Sequence, residues 1–252
     1  MHHRRARIAG VTAIVVVLAA CGGGSGRPTL DRKVTNAPST PSTSLPGYIS
    51  LVARVAVPNI AVYDAPTASQ PSRNFANPWP LNDDPKLPVE LVFLVEQQVG
   101  PWLKVLLPVR PNGTAGWVHS KDVTLQQDQF RITVELKAHR LTVFNGDAML
   151  LTDTVAVGQP ATPTPTGTYY IRVLLKAPDP NTVYGPYAYG LSGHSEALNT
   201  FAGGDAEVGI HGNNDTSVLG TDASHGCIRM SNDKITQLAG LLPLGTPVRI
   251  VA

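Results

Sequence analysis

The chain has 252 residues, 42% of them hydrophobic and 15% charged, enough apolar side chain to bury a core and too little charge for a disordered polyelectrolyte. Its 23 glycines and 22 prolines punctuate it too often for long helices, so short strands and turns are expected, in one large domain or two modest ones. The formal charge of +2 resides in the N-terminus, because without Arg4, Arg5 and Arg7 the 20 basic and 18 acidic residues become 17 and 18. Nothing in that balance argues for nucleic acid as a partner.

Residues 1–20 read as an export signal. "MHHRRAR" supplies a positive start, and "IAGVTAIVVVLAA" is an apolar run too short to span a membrane. Leu18-Ala19-Ala20-Cys21, followed by "GGGSG", resembles a bacterial lipobox. That resemblance implies cleavage before Cys21, lipidation of its thiol and anchoring to the outer face of the cell membrane, within the envelope. An ordinary secretory signal with an incidental cysteine is the other reading. Residues 21–47, rich in Gly, Ser, Thr and Pro, form a flexible tether spanning roughly 25–30 Å root-mean-square. Lipidation would leave Cys227 without an intramolecular partner, and a lone thiol in an oxidising setting is either buried or reactive.

Residues 48–127 form a β-rich module. "YISLVARVAV" and "VELVFLVEQQ" read as strands, and "WLKVLLPVRPNGTAGWVHSKDV" reads as a hairpin turning at Asn112-Gly113, with Trp102 and Trp117 as core anchors. The pattern W-x-K-V…N-G-x-x-G-W-V resembles the bacterial SH3-like barrel. Such a module could bind cell-wall peptide or glycan, or only position its neighbour.

The second module, residues 128–252, begins with strands in which Ile132, Val134 and Leu136, then Leu141 and Val143, alternate toward one face. Asn145-Gly146 predicts a tight turn between them and the strand that follows. "TPTPTGTYYIRVLL" adds a proline-broken entry and another strand. Residues 177–206 carry no clear period and suit either a substrate-covering loop or an irregular surface excursion. "AEVGI" is a strand leading into His211, "SNDKITQLAGLL" a helix capped by Ser231 or Asn232, and "PLGTPVRIVA" a closing strand. The expectation is a mainly β protein, a small barrel followed by a β-sandwich-like domain with one or two short helices.

The chemistry concentrates in "VGIHGNNDTSVLGTDASHGCIRMSN". A thiol near its ordinary pKa is mostly protonated at neutral pH, and a neighbouring imidazole can take its proton for acyl transfer. His225 lies two positions before Cys227, on the same face of an extended segment. His211 lies upstream at the end of a predicted strand. Gly226 would allow a tight turn, freeing the amides of Gly226 and Cys227 as an oxyanion hole. A buried structural cysteine and a zinc site of His211, His225 and Cys227 are the rival readings. A disulfide oxidoreductase would need a second nearby cysteine, which the sequence lacks.

The combination "GIHGNN…SHGCIRM", preceded by "VAVG…TPTPTGTYYI", resembles the YkuD-type L,D-transpeptidase catalytic domain, from Phe130 to the C-terminus. The resemblance implies Cys227 as nucleophile and His211 as base, oriented by the backbone of Gly212, with His225 and Gly226 shaping the pocket. Arg229 would hold a substrate carboxylate or, equally, form an internal salt bridge, while Ser224 and Asn213 would support the turn. Tyr187 and Tyr189 lie where the family often places an aromatic residue near the acyl donor. His119, His139 and His194 have no motif context and read as surface residues. The implied activity needs no cofactor and no metal. It transfers an acyl group between peptidoglycan stem peptides, from a donor tetrapeptide to an acceptor amine, giving 3→3 cross-links. L,D-carboxypeptidase action, attachment of protein or D-amino acids, and a non-catalytic wall-binding lipoprotein are the alternatives. Carbapenem β-lactams would be covalent inhibitors.

Overall fold

In the computed structural model, which describes residues 47–81, 86–201 and 204–252, the alternating segments resolve into two large sheets, with three two-stranded pairs beside them. The export signal, Cys21 and the tether up to residue 46 lie outside the described residues. The first sheet contains β1 (Ser50–Val55), β2 (Val92–Val99), β3 (Trp102–Leu106), β4 (Ala115–His119) and β5 (Val123–Asp128), in the antiparallel order β4-β3-β2-β1-β5. Its core is aliphatic and phenylalanine-based, centred on Ile60, Leu91, Phe93 and Leu103. The two tryptophans expected there are only half-buried. Strand alternation explains this: Leu103 and Val105 turn inward on β3, which leaves Trp102 facing out. There it stacks on His119 at 3.7 Å and meets Tyr63 edge-on at 5.2 Å. The β3–β4 connection runs through Asn112-Gly113 as expected, but as a loop over 107–114, with Gly113 at φ +80°.

The second sheet has eight strands. They are β6 (Phe130–Glu135), β7 (Arg140–Asn145), β8 (Ala148–Thr154), β9 (Gly167–Lys176), β10 (Tyr187–His194), β11 (Glu207–His211), β12 (Ile228–Arg229) and β13 (Pro247–Val251), ordered β8-β7-β6-β13-β9-β10-β11-β12. The expected face of Ile132, Val134, Leu141 and Val143 is fully buried. Asn145-Gly146 makes the predicted turn, with Gly146 at φ +57°. β9 curls the sheet. Its first half pairs with β13, its second half with β10, and an irregularity at Ile171/Val173 separates the two. Helix α1 (Asn232–Ala239) lays Ile235 and Leu238 on the core. Ser231 precedes it as expected, but its hydroxyl and amide both donate to the Asp153 carboxylate instead of capping the helix.

Residues 177–206 differ from the expected loop, because β10 runs through them. The strand was hidden by its small residues, and they are required by packing. A side chain at Gly193 would lie 2.3 Å from the Tyr169 ring. Both sheets meet along a tight seam. Tyr170, on β9, is completely buried among the first module's core residues. Gly245, at φ +94°, lies so close to Val52 that a Cβ would come within 2.3 Å of it. Asp128 accepts hydrogen bonds from the Phe130 amide at 2.8 Å and the Thr246 hydroxyl at 2.7 Å.

Candidate active site

Two short strands bring the motif together. On β11, Val208 and Ile210 face the core, so Gly209 and His211 face away. β12 pairs with it in parallel, Ile210 beside Ile228 and His211 beside Arg229. Cys227 therefore falls next to Gly209, a neighbour that the local sequence pattern around Cys227 does not announce. A Cβ at Gly209 would crowd the Tyr189 carbonyl oxygen at 3.0 Å and stand at ordinary contact distance, 3.9 Å, from Sγ.

His211 is 4% exposed. Its Nδ1–H donates to the Gly212 carbonyl at 2.6 Å, which fixes the ring and leaves Nε2 as the free lone pair. Burial drives its pKa down to about 4, against an opposing pull from the Gly212 carbonyl and with help from the Arg229 charge. The imidazole is therefore neutral at physiological pH. Burial likewise pushes the Cys227 thiol above its ordinary range, while the Gly209 N–H bonded to sulfur and the Arg229 guanidinium pull it back. The resting pair is a neutral thiol and a neutral base, both on the wall of one cavity.

That cavity has a volume of about 760 Å³. Its walls are mostly apolar, from Val173, Leu175, Val183, Tyr184 and Tyr187, joined by Leu81 and Leu87 of the first module. Tyr184, which sequence reasoning missed, sets its ring 5.0 Å from that of His211. Tyr187 is half-buried on the cavity wall. Tyr189 is employed differently from the expectation: its side chain is fully buried and its hydroxyl donates to the Leu238 carbonyl at 2.7 Å. Arg229 forms no ion pair with a carboxylate among the described residues, and its buried Nε has no hydrogen-bond partner.

The turn before the cysteine is pinned from within. Ser224 Oγ donates to the Cys227 carbonyl at 2.5 Å and accepts from the Gly226 amide at 3.1 Å, and the Thr164 hydroxyl donates to the Gly226 carbonyl at 2.9 Å. Gly226 sits at φ +118°, a conformation that favours glycine. Two expectations change as a result. The Gly226 amide is already engaged, while the Cys227 amide has no partner among the described residues. The chain is also not extended between His225 and Cys227, so their two-residue spacing does not bring them to one face. His225 is exposed and stacks on Phe201 at 5.6 Å. His211, His225 and Cys227 form no metal-binding group among the described residues. Asn213 supports the structure: its amide donates to Asn232 Oδ1 at 2.8 Å and its side chain bonds the Asp215 carbonyl.

The other histidines among the described residues, expected at the surface, each have a partner. His139 pairs with Asp222 at 2.8 Å, His119 stacks on Trp102, and His194 is 1% exposed with Nε2 bonded to Asp205 at 2.9 Å. Donor atoms of His194, Asp205 and Glu207 lie within 4.8 Å of one another. The Arg172 guanidinium, 2.5 Å from Glu207, already fills that neighbourhood with positive charge.

Residues 129–250 match the family model of the L,D-transpeptidase catalytic domain, YkuD. The YkuD protein of Bacillus licheniformis is 35% identical over 121 residues, covering 48% of this chain and 65% of that protein. The YkuD protein of Bacillus subtilis is 34% identical over 121 residues, with the same shares. The matched segment thus spans just under two thirds of those relatives' length. An L,D-transpeptidase structure from Mycobacterium smegmatis aligns with a TM-score of 0.41 at 15% identity, over 64% of this chain and 90% of that one.

Proposed function

We propose that residues 129–250, which match the L,D-transpeptidase catalytic-domain model and the YkuD relatives, act as such a domain and that the chain forms 3→3 cross-links in peptidoglycan through a thioester on Cys227. The carrying observation is the pairing of β11 with β12, which sets Cys227 and His211 on one cavity wall, the base oriented by Gly212. His211 Nε2 takes the thiol proton as sulfur attacks the carbonyl of the third, L-centred residue of a donor tetrapeptide. The tetrahedral oxyanion is held by the Cys227 amide. The intermediate collapses as the imidazolium returns its proton to the departing D-alanine amine, leaving a thioester. An acceptor amine then attacks, His211 accepts its proton, and the thiol is regenerated when the proton comes back. Arg229, held in no ion pair among the described residues, pairs with a substrate carboxylate in bidentate fashion. The apolar walls around Tyr184 exclude water from the thioester. Carbapenems would acylate the same sulfur.

The first module, read as SH3-like, presents the catalytic domain, and a lipid on Cys21 holds both at the membrane. The test is mass spectrometry of the protein with a disaccharide tetrapeptide. Loss of D-alanine with a 3→3 dimer is expected, both abolished by Cys227→Ala. Release of D-alanine by the Cys227→Ala variant would sink the mechanism, and tripeptide without dimer would reassign the enzyme as an L,D-carboxypeptidase.

A further inference from the structure

Cys227 borders a second space besides the main cavity. A narrow crevice bounded by Ser195, Leu198, Phe201, His225 and Gly226 also reaches it. One wall of that crevice is the segment after β10, which forms few bonds to its own domain. Phe201 and Gly204 bond each other, the Ser195 amide donates to the Ala206 carbonyl, and the Ser195 hydroxyl accepts from the Ala197 and Leu198 amides at 3.3 and 3.1 Å.

What holds the segment comes from the other module. The β3–β4 loop reaches across with Arg110 and Asn112. Arg110 donates to the carbonyls of Ser195 at 2.5 Å, Leu198 at 3.0 Å and Asp205 at 2.7 Å. Asn112 exchanges two hydrogen bonds with the His194 backbone, donating to its carbonyl at 2.8 Å and accepting from its amide at 2.9 Å. The loop is itself braced. The Thr114 hydroxyl and amide both bond the Pro111 carbonyl, and the Leu107 amide bonds Thr114. On the far side, Asp205 is tied to buried His194, and Glu207 to Arg172. The two terminal nitrogens of one guanidinium thus gather three carbonyls from an eleven-residue span, a planar fork that a lysine ammonium does not reproduce.

We propose that Arg110 and Asn112 are positioning residues for the active site: the first module clamps the backbone at His194, Ser195, Leu198 and Asp205, and the clamp fixes the crevice wall at Cys227. This rests on the reading of Cys227 as the nucleophile, but its test does not. The full chain is compared with Arg110→Ala, Arg110→Lys and Asn112→Ala. Amide hydrogen exchange is followed over residues 195–201, with β6 and β13 amides as the control for intact folding, and Cys227 alkylation by iodoacetamide is timed on the same samples. Exchange over 195–201 should quicken about tenfold or more in Arg110→Ala, as lost hydrogen bonds lower the cost of local opening. Alkylation should change at least about threefold through the same opening, with Arg110→Lys intermediate and β6 and β13 unchanged. On the tetrapeptide, Arg110→Ala should raise KM more than it lowers kcat. Should Arg110→Ala lose protection throughout, Asn112→Ala carries the same two readouts. Unchanged exchange over 195–201 overturns the clamp, and faster exchange with unaltered alkylation overturns its effect on the site. A wild-type chain inert toward tetrapeptide would refute the proposed reaction and leave both of these readouts standing.

Discussion

The depressed basicity of His211 makes folding itself sensitive to acid. In the unfolded chain the imidazole binds a proton near pH 6.5, while in the folded chain it does so only near pH 4. Between these values the unfolded state holds a proton that the native state refuses, so native stability falls as pH falls through that window and is fully present above it. At about 1.36 kcal/mol per pKa unit, the gap corresponds to roughly 3 kcal/mol. Other groups titrate nearby. Burial raises the carboxyls of Asp128 and Glu207, which favours the folded state as they protonate and partly masks the loss. The comparison must therefore be with His211→Asn, whose amide nitrogen can still donate to the Gly212 carbonyl. Urea unfolding at pH 7, 6, 5 and 4.5 should show wild type losing about 2 kcal/mol more than the variant between the end points. The same shift keeps the base neutral at pH 5, so kcat/KM should hold there and fall only as pH approaches 4. A wild-type-minus-variant difference that is flat across the window, or slopes the other way, would show that the imidazole is not buried as a neutral base.

Arg229 and Gly212 give sharp tests of the site's two sides. Because Arg229 has no carboxylate partner among the described residues, Arg229→Gln should change unfolding free energy by no more than about 0.5 kcal/mol. It should nevertheless raise the donor KM about tenfold to a hundredfold, the worth of a lost charge-assisted pair, with Arg229→Lys recovering part of it; a large stability loss with unchanged KM would make it structural. At Gly212 a Cβ would stand 2.3 Å from Asn232 Oδ1 and 3.0 Å from Pro186 Cδ. Gly212→Ala should therefore cost about 1–3 kcal/mol in denaturant unfolding and slow turnover by tilting His211. A fully stable, fully active variant would refute that packing.

Much of the fold was legible because it is written in local periods. The alternation of Ile132, Val134, Leu141 and Val143, the glycine turn at 146 and the strand ending at His211 all survive in the structure. The failures share a physical cause: the decisive information is non-local. Trp102 looked like a core residue by size, but the register of β3 gives the interior to Leu103 and Val105. Gly190, Ser192 and Gly193 looked like loop residues. They are small because Val173 and the Tyr169 ring fill the space beside the two glycines, and because the Ser192 hydroxyl accepts from the Tyr170 amide. His194 looked solitary, although Asp205, eleven positions on, returns beside it.

The choice of base shows the same division at the centre of the site. Local spacing favours His225, two residues from the thiol, and only an extended backbone would make that spacing effective. Gly226 at φ +118° denies it, and the Ser224 hydroxyl, bridging the Gly226 amide and the Cys227 carbonyl, locks the denial in place. The same turn delivers Cys227 beside Gly209, in register with the Ile210–Ile228 and His211–Arg229 pairs and two strand positions from both Arg229 and His211. The turn thus leaves His225 stacked on Phe201 at the narrow crevice, while the main cavity beside Cys227 is shared with His211. A Gly226 variant would accordingly be expected to shift Cys227 from its place beside Gly209 even with every titratable group intact.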